Sequence, residues 1–171
     1  MLKQGVRILG RQEPKTQGAA RPHAIIARMA LLSEQDRQAV RGHLADLTHQ
    51  VTLLFFTQTI GGPETAQIAK QILNELAGLS DKITIEEVNF ILERDRAATY
   101  GVDKIPALVV LRNGEDTRIR FFGAPSGYEF MSLIEAIILA GGDDSGLTQE
   151  SKELIAGVTN PIDLQVFVTP T

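Results

Sequence analysis

The chain has 171 residues, of which 43% are hydrophobic and 22% charged, which is typical of a soluble globular protein. It contains no cysteine, so it has no disulfide, no thiolate zinc site and no thiol nucleophile of its own. No apolar run approaches the ~20 residues that a membrane span needs, so we expect no association with membranes.

The net charge of −4 is spread unevenly, because residues 1–28 carry +5 and the remainder carries −9. An acidic body argues against nucleic-acid binding by that body. Residues 1–28 show no clean period and lack the apolar segment of a secretory signal, so we expect a cytoplasmic protein. Two interpretations of residues 1–28 stay open. They form a basic targeting or disordered arm, or the translation start is placed too early and Met29 is the true start.

Organised sequence begins after Met29 with a capped helix. Ser33 and Asp36 have the spacing of a capping box, in which a hydroxyl is followed three residues later by an acid. Apolar residues then fall at helical spacing, at Val40, Leu44 and Leu47. Residues 51–57 are apolar and rich in β-favouring side chains, which predicts a buried strand.

A loop and a second helix follow this strand. Residues 59–62 predict the loop, and Pro63 is suited to the first position of the helix. Its apolar stripe is predicted to consist of Ile68, Ile72, Leu73 and Leu76. Gly78 is expected to end it.

The next segment predicts a strand, a short helix and a hairpin. Ile83, Ile85 and Val88 indicate the strand, and residues 93–99 a short polar helix. Residues 107–111 and 117–122 predict two strands joined by a turn at Asn113-Gly114, where both residues tolerate positive φ.

A turn at residues 124–127 precedes the last helix of this unit. Its buried face is predicted to carry Phe130, Ile134, Ile137 and Ile138, and Gly141-Gly142 to end it. Residues 29–142 therefore predict an α/β fold, with a βαβ half followed by a ββα half. The two halves form a mixed sheet with helices on both faces.

Residues 143–171 repeat the beginning of this pattern after about 112 residues, a spacing that suggests an internal repeat. A capped helix starts near Thr148, and residues 162–171 are similar to the strand that ends at 55–59. A lone strand cannot pair its backbone by itself. We therefore expect the strand within residues 162–168 to pair with the sheet of the first unit.

The most specific strings of the chain are Phe-Gly-x-Pro-x-Gly-x-Glu-Phe at 122–130 and Val-Phe-Val-Thr-Pro-Thr at 166–171. They resemble the tandem glutaredoxin-like protein disulfide oxidoreductases and, more distantly, the N-terminal domain of the alkyl hydroperoxide reductase flavoprotein. The resemblance covers residues 29–171 and implies a thioredoxin-like unit at 29–142. It further implies the opening helix and strand of a second, incomplete unit at 143–171.

The resemblance places a redox site between the first strand and the second helix. Where the family carries Cys-x-x-Cys, this chain has Gly62, Pro63, Glu64 and Thr65, in a register uncertain by one residue. That chemistry needs a thiolate of lowered pKa and a second thiol to resolve the mixed disulfide. We expect the site to be redox-inactive. The alternative is an anion pocket at the helix start.

The resemblance also implies that the Ile105–Pro106 bond is cis. In redox-active relatives the backbone beside this proline pairs with an extended substrate segment. Ile105 would offer its backbone here. The alternative is a purely structural proline.

Other polar residues offer no catalytic constellation. His43 and His49 are six residues apart and are expected to be solvated, since ligands on one helix face lie three or four apart. Glu86 and Glu87 are adjacent on a strand and point to opposite faces, so they cannot share a proton. Neither they nor the pair at 115–116 form a dyad, and we expect no metal site and no cofactor.

Two functions of different kinds follow. The chain is the amino half of a thiol–disulfide oxidoreductase, with a thiol or disulfide protein or a thioredoxin-reductase-type enzyme as partner, or it is a non-catalytic thioredoxin-like scaffold or peptide-binding module. The family's second active site would begin directly after Thr171. One account is a UGA codon for selenocysteine read as stop. Truncation and frameshift are the alternatives.

Overall fold

The computed structural model describes residues 32–168, and the predictions for residues 1–28 and the Met29 start lie outside them. The described elements, in chain order, are α1 (Glu34–Leu44), β1 (Val51–Thr57), α2 (Thr65–Ala77), β2 (Ile83–Asn89), α3 (Arg94–Thr99), β3 (Ala107–Arg112), β4 (Glu115–Phe122), α4 (Tyr128–Gly141) and α5 (Gln149–Ala156).

The four strands form one mixed sheet in the order β2-β1-β3-β4. β1 and β2 are parallel, as expected for strands joined by a helical crossover. β3 runs antiparallel to both β1 and β4. The predicted α/β fold, a βαβ half followed by a ββα half in a mixed sheet, is confirmed.

The larger core lies on one face of the sheet, under α1, α2 and α4. Alternate residues of β1 and β3 point into it, among them Leu53, Phe55, Leu108 and Val110, all at most 2% exposed. Burying each such side chain is worth about 1.5–3 kcal/mol. This face therefore supplies most of the apolar stabilisation of the unit.

The opposite face carries a smaller core, which includes Leu54, Phe56 and Val109. It is covered by the short helix α3 and by residues 100–106, whose Tyr100 and Ile105 pack against it. We call residues 100–106 the Pro106 loop. Its position is thus set by the sheet beneath it.

The hairpin between β3 and β4 turns at Asn113 (φ 50°) and Gly114 (φ 85°), as the sequence predicts. Farther along, β4 contains a bulge, because the register jumps between Val109 and Leu111. Arg118 sits in this bulge at φ 65°, a left-handed conformation that is uncommon for a residue with a side chain. The bulge was not predicted.

Two details of α2 differ from the prediction. The helix begins at Thr65 rather than at Pro63, because Pro63 and Glu64 form a tighter turn in which Ala66 N–H donates to Pro63 O at 3.0 Å. Ile68 is 39% exposed and lies outside the buried stripe. The buried residues of α2 are Ala66, Ala69, Ile72, Leu73 and Leu76.

The capped helix predicted near Thr148 forms as α5, with the Thr148 hydroxyl accepting from Ser151 N–H at 3.2 Å. The strand predicted within residues 162–168 does not form, and it does not pair with the sheet. Leu164 is 84% exposed and Phe167 89%. A strand needs a neighbouring edge to bind its backbone, and residues 162–168 pair with neither edge strand of the sheet, β2 or β4.

None of the helices in the described part of the chain is long and apolar enough to cross a membrane.

Candidate functional site

The strand registers bring four chain segments together at one end of the sheet. Thr57 pairs with Asn89, and Phe56 pairs with Ala107, which in turn pairs with Phe122. The loops that follow β1, β2 and β4 and the loop that precedes β3 therefore meet at this end, which we call the loop end. It contains all the site residues predicted from the sequence.

The loop from β1 to α2 is closed tightly on itself. Gln58 Nε2 donates to Ile60 O at 2.6 Å, and Gly61 has a φ of 73°. A Cβ atom on Gly62 would lie only 2.4 Å from Gln58 O. Only glycine fits there without a backbone shift. A cysteine at position 62 would therefore require the loop to be rebuilt.

Pro63, Glu64 and Thr65 complete the predicted redox position. Glu64 is the N-cap of α2 and its side chain makes no capping hydrogen bond, while Thr65 is the first helical residue. The helix start is in the place where a thiolate would be stabilised, but the whole chain has no sulfur other than methionine. Residues 62–65 therefore offer no thiol for thiol–disulfide exchange.

The Pro106 loop lies at the same end. The Ile105–Pro106 peptide bond is cis. Gly123 N–H donates to Pro106 O at 2.8 Å, which joins the loop to the end of β4. Ile105 lies outside the strand ladder, and within residues 32–168 its N–H and C=O make no hydrogen bond. Both groups are open to a backbone partner.

Exposed apolar side chains lie in the segments at this end of the sheet, and the sequence did not predict them. They are Ile60 (88% exposed), Leu92 (82%), Tyr128 (80%), Ile91 (45%) and Phe122 (40%). They come from segments that follow or close β1, β2 and β4, so they share the loop end. A cluster of this kind is typical of a surface that contacts another molecule. Its members lie at element ends, where hydrophobic periodicity gives no signal.

Arg120, Asp116 and Tyr100 form a hydrogen-bonded cluster that joins β4 to the Pro106 loop. Arg120 on β4 donates Nε to Tyr100 O at 2.9 Å, and its Nη1 and Nη2 atoms donate to the Asp116 carboxylate at 2.8 and 2.6 Å. Its guanidinium lies 5.8 Å from the centre of the Tyr100 ring. Hydrogen bonding from Arg120 lowers the pKa of Asp116 below its ordinary value. The Asp116 carboxylate is therefore ionised at neutral pH.

The adjacent glutamates on β2 point to opposite faces, as predicted. Glu86 Oε1 pairs with Arg96 Nη1 at 2.6 Å, whereas Glu87 pairs with Lys70 on α2. The hydrogen bond from Arg96 lowers the pKa of Glu86. These are structural ion pairs.

His49 differs from its prediction, because it is hydrogen-bonded rather than solvated. At the sheet end opposite the loop end, its Nε2 lies 2.7 Å from Asp143 Oδ1 and its Nδ1 lies 3.0 Å from Asn113 Nδ2. Thr48 Oγ1 also donates to Asp143, at 3.0 Å. His43 is exposed on α1. Residues 32–168 contain no cluster of potential metal ligands.

Part of the chain is similar in sequence to larger, curated bacterial proteins. The alkyl hydroperoxide reductase protein AhpF of Staphylococcus epidermidis is 31% identical over 135 residues, 74% of this chain and 24% of the relative. The Escherichia coli protein is 27% identical over 137 residues, 80% of this chain and 24% of the relative. The chain thus spans about a quarter of the length of these curated relatives. No protein-family model matches it.

Two solved structures of related proteins match the fold of the chain. The NTD_N/C domain of alkyl hydroperoxide reductase AhpF from Enterococcus faecalis matches with a TM-score of 0.68 and 34% identity, over 72% of this chain and 59% of that chain. A protein disulfide oxidoreductase from Aeropyrum pernix matches with a TM-score of 0.63 and 24% identity, over 73% and 54%.

The chain therefore has a thioredoxin-like fold. More specifically, it is homologous to the N-terminal domain of the alkyl hydroperoxide reductase protein AhpF. The homology to the N-terminal domain of AhpF, predicted as the more distant of two relationships, is confirmed, and a protein disulfide oxidoreductase matches in structure.

Proposed function

We propose that this chain provides the redox-inactive thioredoxin-like unit of a thiol–disulfide oxidoreductase related to the glutaredoxin-like protein disulfide oxidoreductases. The single observation that carries the proposal is the closed loop at Gly62, where Gln58 O occupies the space that a cysteine side chain would need. The strand, loop and helix that would surround a redox site are present, and the backbone oxygen of Gln58 occupies the space of a side chain at position 62. The homology to AhpF supports the redox context.

In this function the unit binds and orients while another unit supplies the chemistry. The exchange reaction needs a thiolate, or a selenolate if the codon after Thr171 encodes selenocysteine, which attacks a disulfide and releases a thiolate. Neither atom comes from residues 62–65. The partner is a thiol or disulfide protein, or a reductase of the thioredoxin-reductase type.

A disulfide-reduction assay tests the inactive role. The 171-residue chain, with dithiothreitol and insulin, is expected to reduce insulin no faster than dithiothreitol alone. A matched variant, Gly62→Cys/Thr65→Cys, is expected to lose stability without gaining turnover, because a side chain at position 62 cannot fit beside Gln58 O. Turnover above the control by the unmodified chain would contradict the proposal.

A second function, that of a peptide-binding module, is favoured by the backbone of Ile105, which makes no hydrogen bond within residues 32–168, and by the exposed apolar side chains at the loop end. An extended, apolar protein segment would pair with the Ile105 N–H and C=O and cover Phe122 and Ile60. This binding is compatible with the first function and does not require it.

Titration with a permanently unfolded, carboxymethylated protein tests the binding. We expect amide shift changes at Ile105 and at its neighbours around the loop end, and none at the hairpin turn of Asn113 and Gly114. The control is Ile60→Asp, which places a charge on the apolar surface and should weaken the titration. A titration without shift changes at Ile105 would reject the binding function.

A further inference from the structure

The bulge in β4 brings Asp116 and Arg120 together on one face of that strand. Asp116 pairs with Leu111 and Arg120 with Val109, so the bulge adds two residues to β4 and leaves the alternation of its faces unchanged. After the bulge, Ile119 and Phe121 pack on the larger core, while Arg120 and Phe122 face the loop.

The bulge is held by its own hydrogen bonds. Arg118 N–H donates to Asp116 Oδ1 at 2.8 Å, and Thr117 Oγ1 donates to Val110 O at 2.6 Å. These bonds accompany the left-handed conformation of Arg118, which costs free energy unless the surroundings hold it. The conformation is therefore specified by the side chains on either side of Arg118.

Three contacts join this face of β4, or the residue after it, to the Pro106 loop. Arg120 Nε binds Tyr100 O at 2.9 Å, Lys104 Nζ lies 4.8 Å from the centre of the Phe122 ring, and Gly123 N–H binds Pro106 O at 2.8 Å. They are distributed over the start, middle and end of the loop. Of the three, the first is a charged hydrogen bond, and its donor is only 16% exposed.

We propose that Arg120 is a positioning residue, which bridges the Asp116 carboxylate and the Tyr100 carbonyl and so holds Ile105 with its backbone groups free for a bound segment. This proposal rests on the binding function proposed above. Lysine cannot replace it, because it lacks the planar fork that serves both acceptors at fixed angles. The bulge is the feature of β4 that brings Asp116 within reach of this fork, because Asp116 and Arg120 pair with residues only two apart on β3.

Hydrogen exchange on the full chain tests the positioning role. In Arg120→Gln we expect the amides of Val102 and Gly123 to exchange about tenfold faster, because the loop opens locally. The β1 amides should keep their rates. Arg120→Lys should not restore the slow exchange. The matched control is Arg118→Gln, which removes an exposed arginine two residues away whose side chain makes no hydrogen bond in the described part of the chain.

The same variants are then titrated with the carboxymethylated protein. Arg120→Gln, measured as folded protein, should bind it about tenfold more weakly than Arg118→Gln. A purely structural role would lower the midpoint and leave the affinity of the folded fraction intact, which would overturn the proposal. Should Arg120→Gln fail to fold, Asp116→Asn removes the other end of the bridge and should accelerate exchange at Gly123.

Two failures are distinguishable. If the unmodified chain does not bind the probe, the binding function is rejected, whatever the exchange rates are. If it binds but Arg120→Gln leaves the exchange of Val102 and Gly123 unchanged, or Arg120→Lys restores slow exchange, the positioning role is rejected and the binding function stands.

Discussion

Two regions of this molecule begin with the same sequence pattern and end in opposite environments. Residues 33–57 and 148–168 each contain a capped helix followed by an apolar, β-favouring stretch. The first stretch is the central strand β1, and Phe55 within it is 1% exposed. The second stretch forms no strand, and its counterpart Phe167 is 89% exposed.

The difference separates local from non-local causes of structure. A helix start depends on residues within one turn, and both Ser33 and Thr148 supply the capping hydroxyl that this requires. A strand depends on a partner edge. β1 has β2 on one side and β3 on the other, whereas residues 162–168 have neither.

The largest expected effect comes from removing the two matched phenylalanines. Phe55→Ala should lower the free energy of unfolding by about 3–5 kcal/mol, because it leaves a cavity in the larger core. Phe167→Ala should change it by less than about 0.5 kcal/mol. Urea titrations followed by circular dichroism measure both. A loss of several kcal/mol in Phe167→Ala would mean that residues 162–168 pack in solution.

Removing the helix caps should produce a smaller difference in stability between the two regions. Ser33→Ala should cost about 1 kcal/mol of global stability, since α1 buries Val40 and Leu44 and unfolds with the core. Thr148→Ala should leave the urea midpoint unchanged, because α5 has no buried residue. It should instead reduce the helical Cα chemical shifts of residues 149–156. An equal drop in midpoint for both variants would show that α5 is docked.

The two regions should also respond differently to acid. Hydrogen bonds from Arg120 and Lys152 lower the pKa of Asp116 and Asp144, respectively. A lowered carboxyl pKa contributes stability that is complete above the unfolded value, about 3.9, and is lost as the pH falls through the folded value.

Acidification below pH ~4 should therefore weaken the Asp116 cluster and lower the global urea midpoint. The same change at Asp144 should affect only α5. Asp116→Asn should remove part of the acid dependence of the midpoint, and Asp144→Asn should leave the curve unchanged. Coincident curves for Asp116→Asn and the unmodified chain would contradict the global role of Asp116.

Much of the fold could be predicted because its signals are local. The bounds of β1 at residues 51–57, the capping box at Ser33 and the hairpin at Asn113-Gly114 are set by neighbours in sequence. The closed loop at Gly62 was not predictable, because it depends on where Gln58 O lies in space. The Arg120 bridge was not predictable either. It depends on the bulge, for which the sequence has no turn signal, and on Tyr100, which is twenty residues away.

The hydrogen bonds of Asp143 to Thr48 and His49 hold Asp143 at the sheet end opposite the loop end, and residues 144–168 continue from there. Fully extended, the five residues 144–148 reach about 17 Å. The seven residues of β1 span about 23 Å. Residues 144–148 are therefore too short to run the length of the sheet. The start of α5 is therefore tethered on the far side of the molecule from Ile105. A segment that reaches the loop end from there must travel along the flank of the unit, which limits the directions of approach.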